Sequence, residues 1–213
     1  MVYYTRRPSI GFGPGGRVPP AIKWLLISNA VVFVVYFLAV QLRIAPLVWL
    51  FGALSLTPAW VVKGAILWQP VTYLFLHSPH GFSHVLFNML MLWMFGSDLE
   101  RDWGTRHFLN FYLFCGIGAG LWDVAARFLW GHPSELHIPT IGASGAIYGV
   151  LLAYGLLYPN RTILFWFFFP IPARIFVLIL GGIAFLSSFG TSGSEISHVA
   201  HLGGMAFGYF YLR

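Results

Sequence analysis

Residues 24–42 read WLLISNAVVFVVYFLAVQL, nineteen positions without a charge. A stretch of that length matches the roughly 20 apolar residues that carry a helix across a bilayer. Five further stretches follow, at about 82–98, 107–126, 141–158, 174–190 and 196–212. The composition supports lipid as the main solvent: 58% of residues are hydrophobic and 8% charged, against about 25% charged in an ordinary soluble domain. A cytosolic enzyme, a secreted disulfide scaffold and a disordered chain are thereby excluded. The single cysteine, Cys115, has no partner for an internal bridge. The expected fold class is an all-α polytopic membrane protein, a six-transmembrane-helix bundle.

The net charge of +6 raises the question of nucleic acid. Four of the cations, Arg6, Arg7, Arg17 and Lys23, fall in the first 23 residues, where there is no acid. A basic arm beside a hydrophobic helix reads instead as a contact with anionic lipid or a topology signal, so no nucleic-acid partner is expected. Residues 1–22 are dense in Gly and Pro, from Pro8 to Pro20, and read as a flexible cytoplasmic arm. Residues 23–213 read as the membrane domain.

Two segments fit no single crossing. Residues 44–76 are apolar but cut by Pro46, Pro58 and Pro70, which suits short helices in the interface or in one leaflet. Residues 162–171, with aromatics from Phe165 to Phe169, read as an interfacial belt. With the N-terminus inside, Arg6, Arg7, Arg17, Lys23, Arg101, Arg106, Arg161, Arg174 and Arg213 fall on the inner side. Arg43, Lys63 and Arg127 fall outside. This nine-to-three bias is the expected positive-inside pattern, with both termini cytoplasmic. Glycine pairs four apart, Gly116/Gly120, Gly145/Gly149 and Gly204/Gly208, suit close helix packing in lipid.

Polar residues inside hydrocarbon are costly, so their positions carry information. His84 and Asn88 lie four apart on the second span, Ser144 opens the fourth, and His198 and His201 begin the sixth. In the six-span topology all of them occupy first turns at one depth near the outer face. A serine hydroxyl becomes a nucleophile when a base such as histidine takes its proton. Acyl transfer also needs donors for the oxyanion. Ser144, His201, His84 and Asn88 fill these roles, and Gly142 and Gly145 would let the backbone turn and a carbonyl approach. Each residue also has a plainer reading. Ser144 could be a packing or capping residue, the histidine pair a metal, haem or hydrogen-bonding set, and His84 with Asn88 an interhelical tie. No carboxylate lies in the immediate sequence of Ser144 or His201, which favours a dyad over a triad.

The stretches WQPVTYLFLHS (68–78), HVLFNMLMLWMFGSDLE (84–100), GASGAIYGV (142–150) and AHLGGMAFG (200–208) resemble the rhomboid intramembrane serine proteases. The resemblance covers about residues 60–213. It implies a six-helix bundle with a water-accessible site below the outer surface. Ser144 would be the nucleophile, His201 the base, and His84 and Asn88 part of the oxyanion hole. Tyr148 would pack on the catalytic histidine, and Glu100 with Arg101 would be a structural pair. It implies transmembrane protein substrates and neither metal nor organic cofactor. The bacterial cytoplasmic membrane is the expected location. Where well-studied bacterial members carry Trp-Arg, this chain reads Trp68-Gln69, and His198 is expected in a supporting role. A catalytically silent relative that binds client helices, a histidine-lined channel and a haem bundle are the competing readings. The oligomeric state is not legible.

Overall fold

A computed structural model of the chain describes residues 16–64, 66–165, 169–189 and 197–213. Most of the basic arm, residues 1–15, lies outside the described residues. The first helix, α1 (Pro20–Gln41), begins three residues inside the segment assigned to the arm. The density of breakers misplaces that boundary. Proline at the first helical position loses no hydrogen bond, because that N–H has no intrahelical acceptor.

The proline-cut segment folds into α2 (Ala45–Leu54), α3 (Pro58–Gly64), α4 (Gln69–Thr72) and a 3₁₀ turn, Tyr73–Phe75. An unbroken helical path then runs from α5 (Ser83–Met91) through a π-helical segment, Leu92–Gly96, into α6 (Ser97–Trp103). Gly104, at φ 82°, turns the chain directly into α7 (Thr105–Trp130). A loop with a 3₁₀ turn leads to α8 (Ser144–Leu157), and α9 (Ala173–Ser187) and α10 (His198–Leu212) complete the helices.

Between α8 and α9 the expected aromatic belt is instead an antiparallel hairpin. Its strands are β1 (Thr162–Phe165) and β2 (Phe169–Pro172), with Thr162 opposite Pro172 and Phe165 opposite Phe169. Thr, Ile and Phe favour a pleated strand, and Pro170 and Pro172 exclude a helix interior. Trp166, Phe167 and Phe168 lie outside the described residues. Apart from this hairpin the described fold is helical.

The buried centre of the molecule is α7. Its Phe108, Phe111 and Tyr112 are fully buried, and it packs against both α8 and α10. Large apolar side chains face outward, among them Trp49, Leu67 and Trp130 at 74%, 79% and 82% exposure, as expected where the solvent is hydrocarbon. Among the described residues, two helices are long and apolar enough to cross a bilayer alone, α1 with 22 residues and α7 with 26. With 14, 15 and 15 residues, α8, α9 and α10 rise only about 21–23 Å at 1.5 Å per residue.

One end of the bundle is basic. The start of α1, the α6–α7 corner, the end of α8, the start of α9 and the end of α10 all meet there. Arg161 reaches Asp98 at 2.9 Å, Tyr158 donates to Asp102, and His107 packs edge-on to Tyr211. Arg17, Lys23, Arg101, Arg106, Arg161, Arg174 and Arg213 share this end with Asp98, Glu100 and Asp102. Glu100 organises it. Its carboxylate accepts from the backbone N–H groups of Ala21 (2.8 Å) and Ile22 (2.9 Å) and from the Thr105 hydroxyl (2.7 Å). The carboxylate thus caps α1, which has no side-chain cap of its own.

Candidate active site

At the opposite end, the first turns of α5, α8 and α10 converge. Gly142, two residues before α8, has φ +125°, a backbone conformation that L side chains rarely adopt. A Cβ there would lie 2.9 Å from His84 Nε2. Glycine is therefore required twice, for the turn and for the approach of the α5 imidazole. The Gly142 N–H donates to the Tyr73 carbonyl, which fixes the turn, and Ser144 follows as the first residue of α8. On α10 the Ser197 side chain caps the helix by accepting from the Ala200 N–H at 3.1 Å. One turn later comes His201.

Ser144 Oγ and His201 Nε2 are 2.8 Å apart. The ring of Tyr148, one turn after Ser144, lies flat on the His201 ring with centroids 4.2 Å apart and planes 6° off parallel. His198 meets the same imidazole edge-on at 5.6 Å. His201 is buried, and its Nδ1 has no hydrogen-bond partner among the described residues. Stacking therefore holds the ring, and no carboxylate among the described residues orients it. Asn88, one turn after His84, is buried with its Nδ2 donor uncommitted among the described residues.

The serine and histidine meet because α8 and α10 touch backbone to backbone. A Cβ at Gly204 would overlap the Gly145 carbonyl oxygen, and one at Gly208 would lie 3.1 Å from Gly149 Cα. A Cβ at Gly145 would meet Ala119 of α7 at 2.6 Å. The Gly145/Gly149 and Gly204/Gly208 pairs thus form the seam that brings α8, α10 and α7 together, while Gly116 and Gly120 pack mainly on Leu74, Leu56 and Tyr73.

Three further buried polar residues, Asp123, Gln69 and His77, lie outside the serine–histidine set. Asp123 of α7, fully buried, accepts from the Thr140 hydroxyl at 2.9 Å, from the Ser197 hydroxyl at 2.6 Å and from Arg127 Nε at 3.1 Å. Thr140 stands four residues before Ser144, and Ser197 four before His201. One carboxylate therefore ties down both approaches to the serine–histidine pair. Arg127 adds bonds to the Glu135 and Ile138 carbonyls and to Thr140 Oγ1. Gln69, which replaces the arginine of the Trp-Arg pattern, is buried. Its amide accepts from the Thr57 N–H and donates to the Ala53 carbonyl, while Trp68 Nε1 donates to that same carbonyl. A neutral amide serves here because its two partners are backbone groups.

The third is His77, wholly buried and edge-on to His84 at 5.0 Å. Burial, and next the neighbouring His84, hold it well below the ordinary histidine value, at about 3, so it is uncharged at neutral pH. A signal for Asp123 did exist: it is a lone acid inside an apolar helix, four residues before Arg127.

The profile of the Rhomboid domain matches residues 65–213. The chain is 35% identical over 143 residues to rhomboid protease GluP of Bacillus subtilis, a match covering 67% of this chain and 25% of that protein. It is 33% identical over 139 residues to the mitochondrial rhomboid protein 1 of Saccharomyces cerevisiae, covering 63% and 38%. With rhomboid protease AarA of Providencia stuartii it shares 31% identity over 151 residues, covering 65% and 50%. The matched stretch thus spans between a quarter and a half of the length of these relatives.

Proposed function

Since the chain belongs to the rhomboid family, and so to a family of integral membrane proteins, we propose that it is an intramembrane serine endopeptidase that uses a Ser144–His201 dyad. The observation that carries the proposal is the 2.8 Å contact between Ser144 Oγ and His201 Nε2, within reach for proton transfer. Ser144 attacks a substrate carbonyl while His201 Nε2 takes its proton. His201 then returns that proton to the leaving amine, and an acyl-enzyme is left. Water, deprotonated by the same imidazole, releases the acid. The Tyr148 stack keeps the ring in plane for both transfers.

The developing oxyanion needs donors. The unsatisfied N–H groups at the α8 N-terminus, the Asn88 amide and the His84 ring are those at hand. No cofactor enters this chemistry. Asp123 is a positioning residue: it touches neither reacting atom but holds Thr140 and Ser197.

The proposed topology has six crossings with both termini on the basic, cytoplasmic side, in a bacterial cytoplasmic membrane. Helix length supports a site below the outer surface. With the end of α8 at the inner interface, 14 residues lift Ser144 about 21 Å. The hydrocarbon core is about 30 Å thick, so the serine lies below the outer surface, where it meets transmembrane segments. A substrate helix has its backbone groups bonded internally and must unwind locally before Ser144 reaches a carbonyl. Segments with glycine or other weak helix formers near the outer end are the favoured class.

The test is incubation of purified protein in detergent with a generic transmembrane substrate and, in parallel, with a fluorophosphonate probe. Wild type is expected to cleave the substrate and to label at Ser144 alone. Ser144→Ala should do neither, and His201→Ala should label at background rate. Labelling unchanged in His201→Ala would sink the dyad. Cleavage absent from wild type, with client helices still bound, would assign the chain to the catalytically silent relatives.

A further inference from the structure

We propose that the basic end of the bundle carries a binding site for an anionic glycerophospholipid, with its headgroup between the start of α1 and the α6–α7 corner. A cleft of about 760 Å³ opens there, lined by Arg17, Lys23, Trp24, Glu100, Arg101 and Thr105. That is within the few hundred to a thousand Å³ of small-ligand sites.

The charge of the lining is unbalanced. Three cations face one acid, a formal +2. Glu100 is buried, with its oxygens committed to two backbone N–H groups and the Thr105 hydroxyl. Arg101 is shared between Asp98 and the Arg17 carbonyl. Arg17 and Lys23 have no carboxylate partner among the described residues, and Lys23 Nζ sits 5.6 Å from the Trp24 ring. Two cations lining a cleft, with an indole beside them, suit a phosphodiester at the headgroup level of a bilayer.

The cleft alone would fit any phosphate. What selects a lipid is the surface that begins at its edge. Trp24 starts an outward-facing stripe that continues through Ile27, Val31, Val34 and Leu38, all exposed. At 100° per residue these five side chains fall within one face of α1. From Trp24 to Leu38 the helix rises about 21 Å, enough to follow an acyl chain through the roughly 15 Å of one leaflet, half the hydrocarbon core. Polar head and apolar tail are thus read by contiguous surfaces. The site is independent of the protease reading, because no residue in it belongs to the Ser144 cluster.

The test is reconstitution into vesicles of equimolar phosphatidylcholine and phosphatidylglycerol. The protein is then re-extracted in neutral detergent and its retained lipids identified by native mass spectrometry. Wild type should retain phosphatidylglycerol in preference to phosphatidylcholine. Each basic residue at an anionic surface is worth about fivefold, so Arg17→Gln with Lys23→Gln should lower the preference on the order of twenty-fivefold. Arg174→Gln, at the same end but outside the cleft, should leave it unchanged. Melting curves of all three proteins confirm that folded molecules are compared. A double variant that keeps the preference, or an equal loss in Arg174→Gln, would overturn the site. Displacement of the lipid by inorganic phosphate would overturn the lipid in favour of a free anion.

Discussion

Two buried carboxylates, Glu100 and Asp123, sit at opposite ends of the bundle and do different work. Glu100 ties α1 to the α6–α7 corner through two backbone N–H groups and one hydroxyl. Its partners are all scaffold. Asp123 accepts from two hydroxyls and a guanidinium. Two of those partners stand four residues before Ser144 and His201. Both satisfy the rule that a buried charge must be paired or hydrogen-bonded, and burial alone does not tell them apart. The difference lies in which chain segments the bonds hold. An acid that joins a cap to a corner stabilises the fold. An acid that joins the approaches to two reacting groups also sets the distance between them.

That difference is open to measurement. The largest effect is expected from Asp123→Ala. Loss of the clamp should lower the fluorophosphonate labelling rate of folded protein about a hundredfold, the scale associated with a misplacement of about 1 Å. Removing one partner of the buried Arg127 pair should also cost about 3–5 kcal/mol of stability. Asp123→Asn keeps one acceptor oxygen and should recover part of the labelling. Labelling per folded molecule that stays at the wild-type rate in Asp123→Ala would reduce Asp123 to the status of Glu100.

The reverse pattern is expected from Glu100→Gln. The variant keeps one acceptor oxygen and sets an amide NH2 against the other α1 N–H group, which should lower stability in detergent unfolding by about 1.5–3 kcal/mol. Labelling of the folded fraction should not change. The smallest effect belongs to Arg161→Ala. This removes a partly exposed pair with Asp98 and should cost about 1 kcal/mol. A loss of labelling in either variant would mean that the basic end reaches the site, and the division between the two ends would fail.

The same contrast shows what a linear reading of this chain can recover. Over the described residues, the stretches expected at 107–126, 141–158, 174–190 and 196–212 each contain one helix and that at 82–98 follows the path from α5 into α6, because apolar runs of that length admit little else. The Ser144–His201 meeting was legible from short motifs and from glycines at packing distance. Glu100 was legible only through the resemblance. Asp123 is not legible beside Ser144 and His201 in sequence, because α7 delivers the carboxylate across helices. Hydropathy reports which side chains leave water and is silent on which polar partners they find. The hairpin at 162–172 escaped for a related reason: an aromatic run between prolines scores equally as an interfacial belt and as a strand. The start of α1 lies earlier than its breakers suggest, because Pro20 occupies the first turn of the helix, where proline is tolerated.

The π-helical segment at Leu92–Gly96 has a geometric consequence for the path that contains it. On a regular helix, twelve residues separate Asn88 from Glu100 by about 120° around the axis. A π turn accommodates one residue more than an α turn, which takes back about 100° and leaves the two side chains nearly in line. Both are in fact buried, the amide toward the serine end and the carboxylate toward the basic end. The bulge acts as a phase corrector, allowing a single rod to present one inward face at two depths. Winding the same residues as a regular helix would force a choice, since only one of the two ends could then keep its polar group facing the interior, whereas deleting one residue of Leu92–Gly96 leaves eleven, about 20° apart around a regular helix, and keeps both ends in phase.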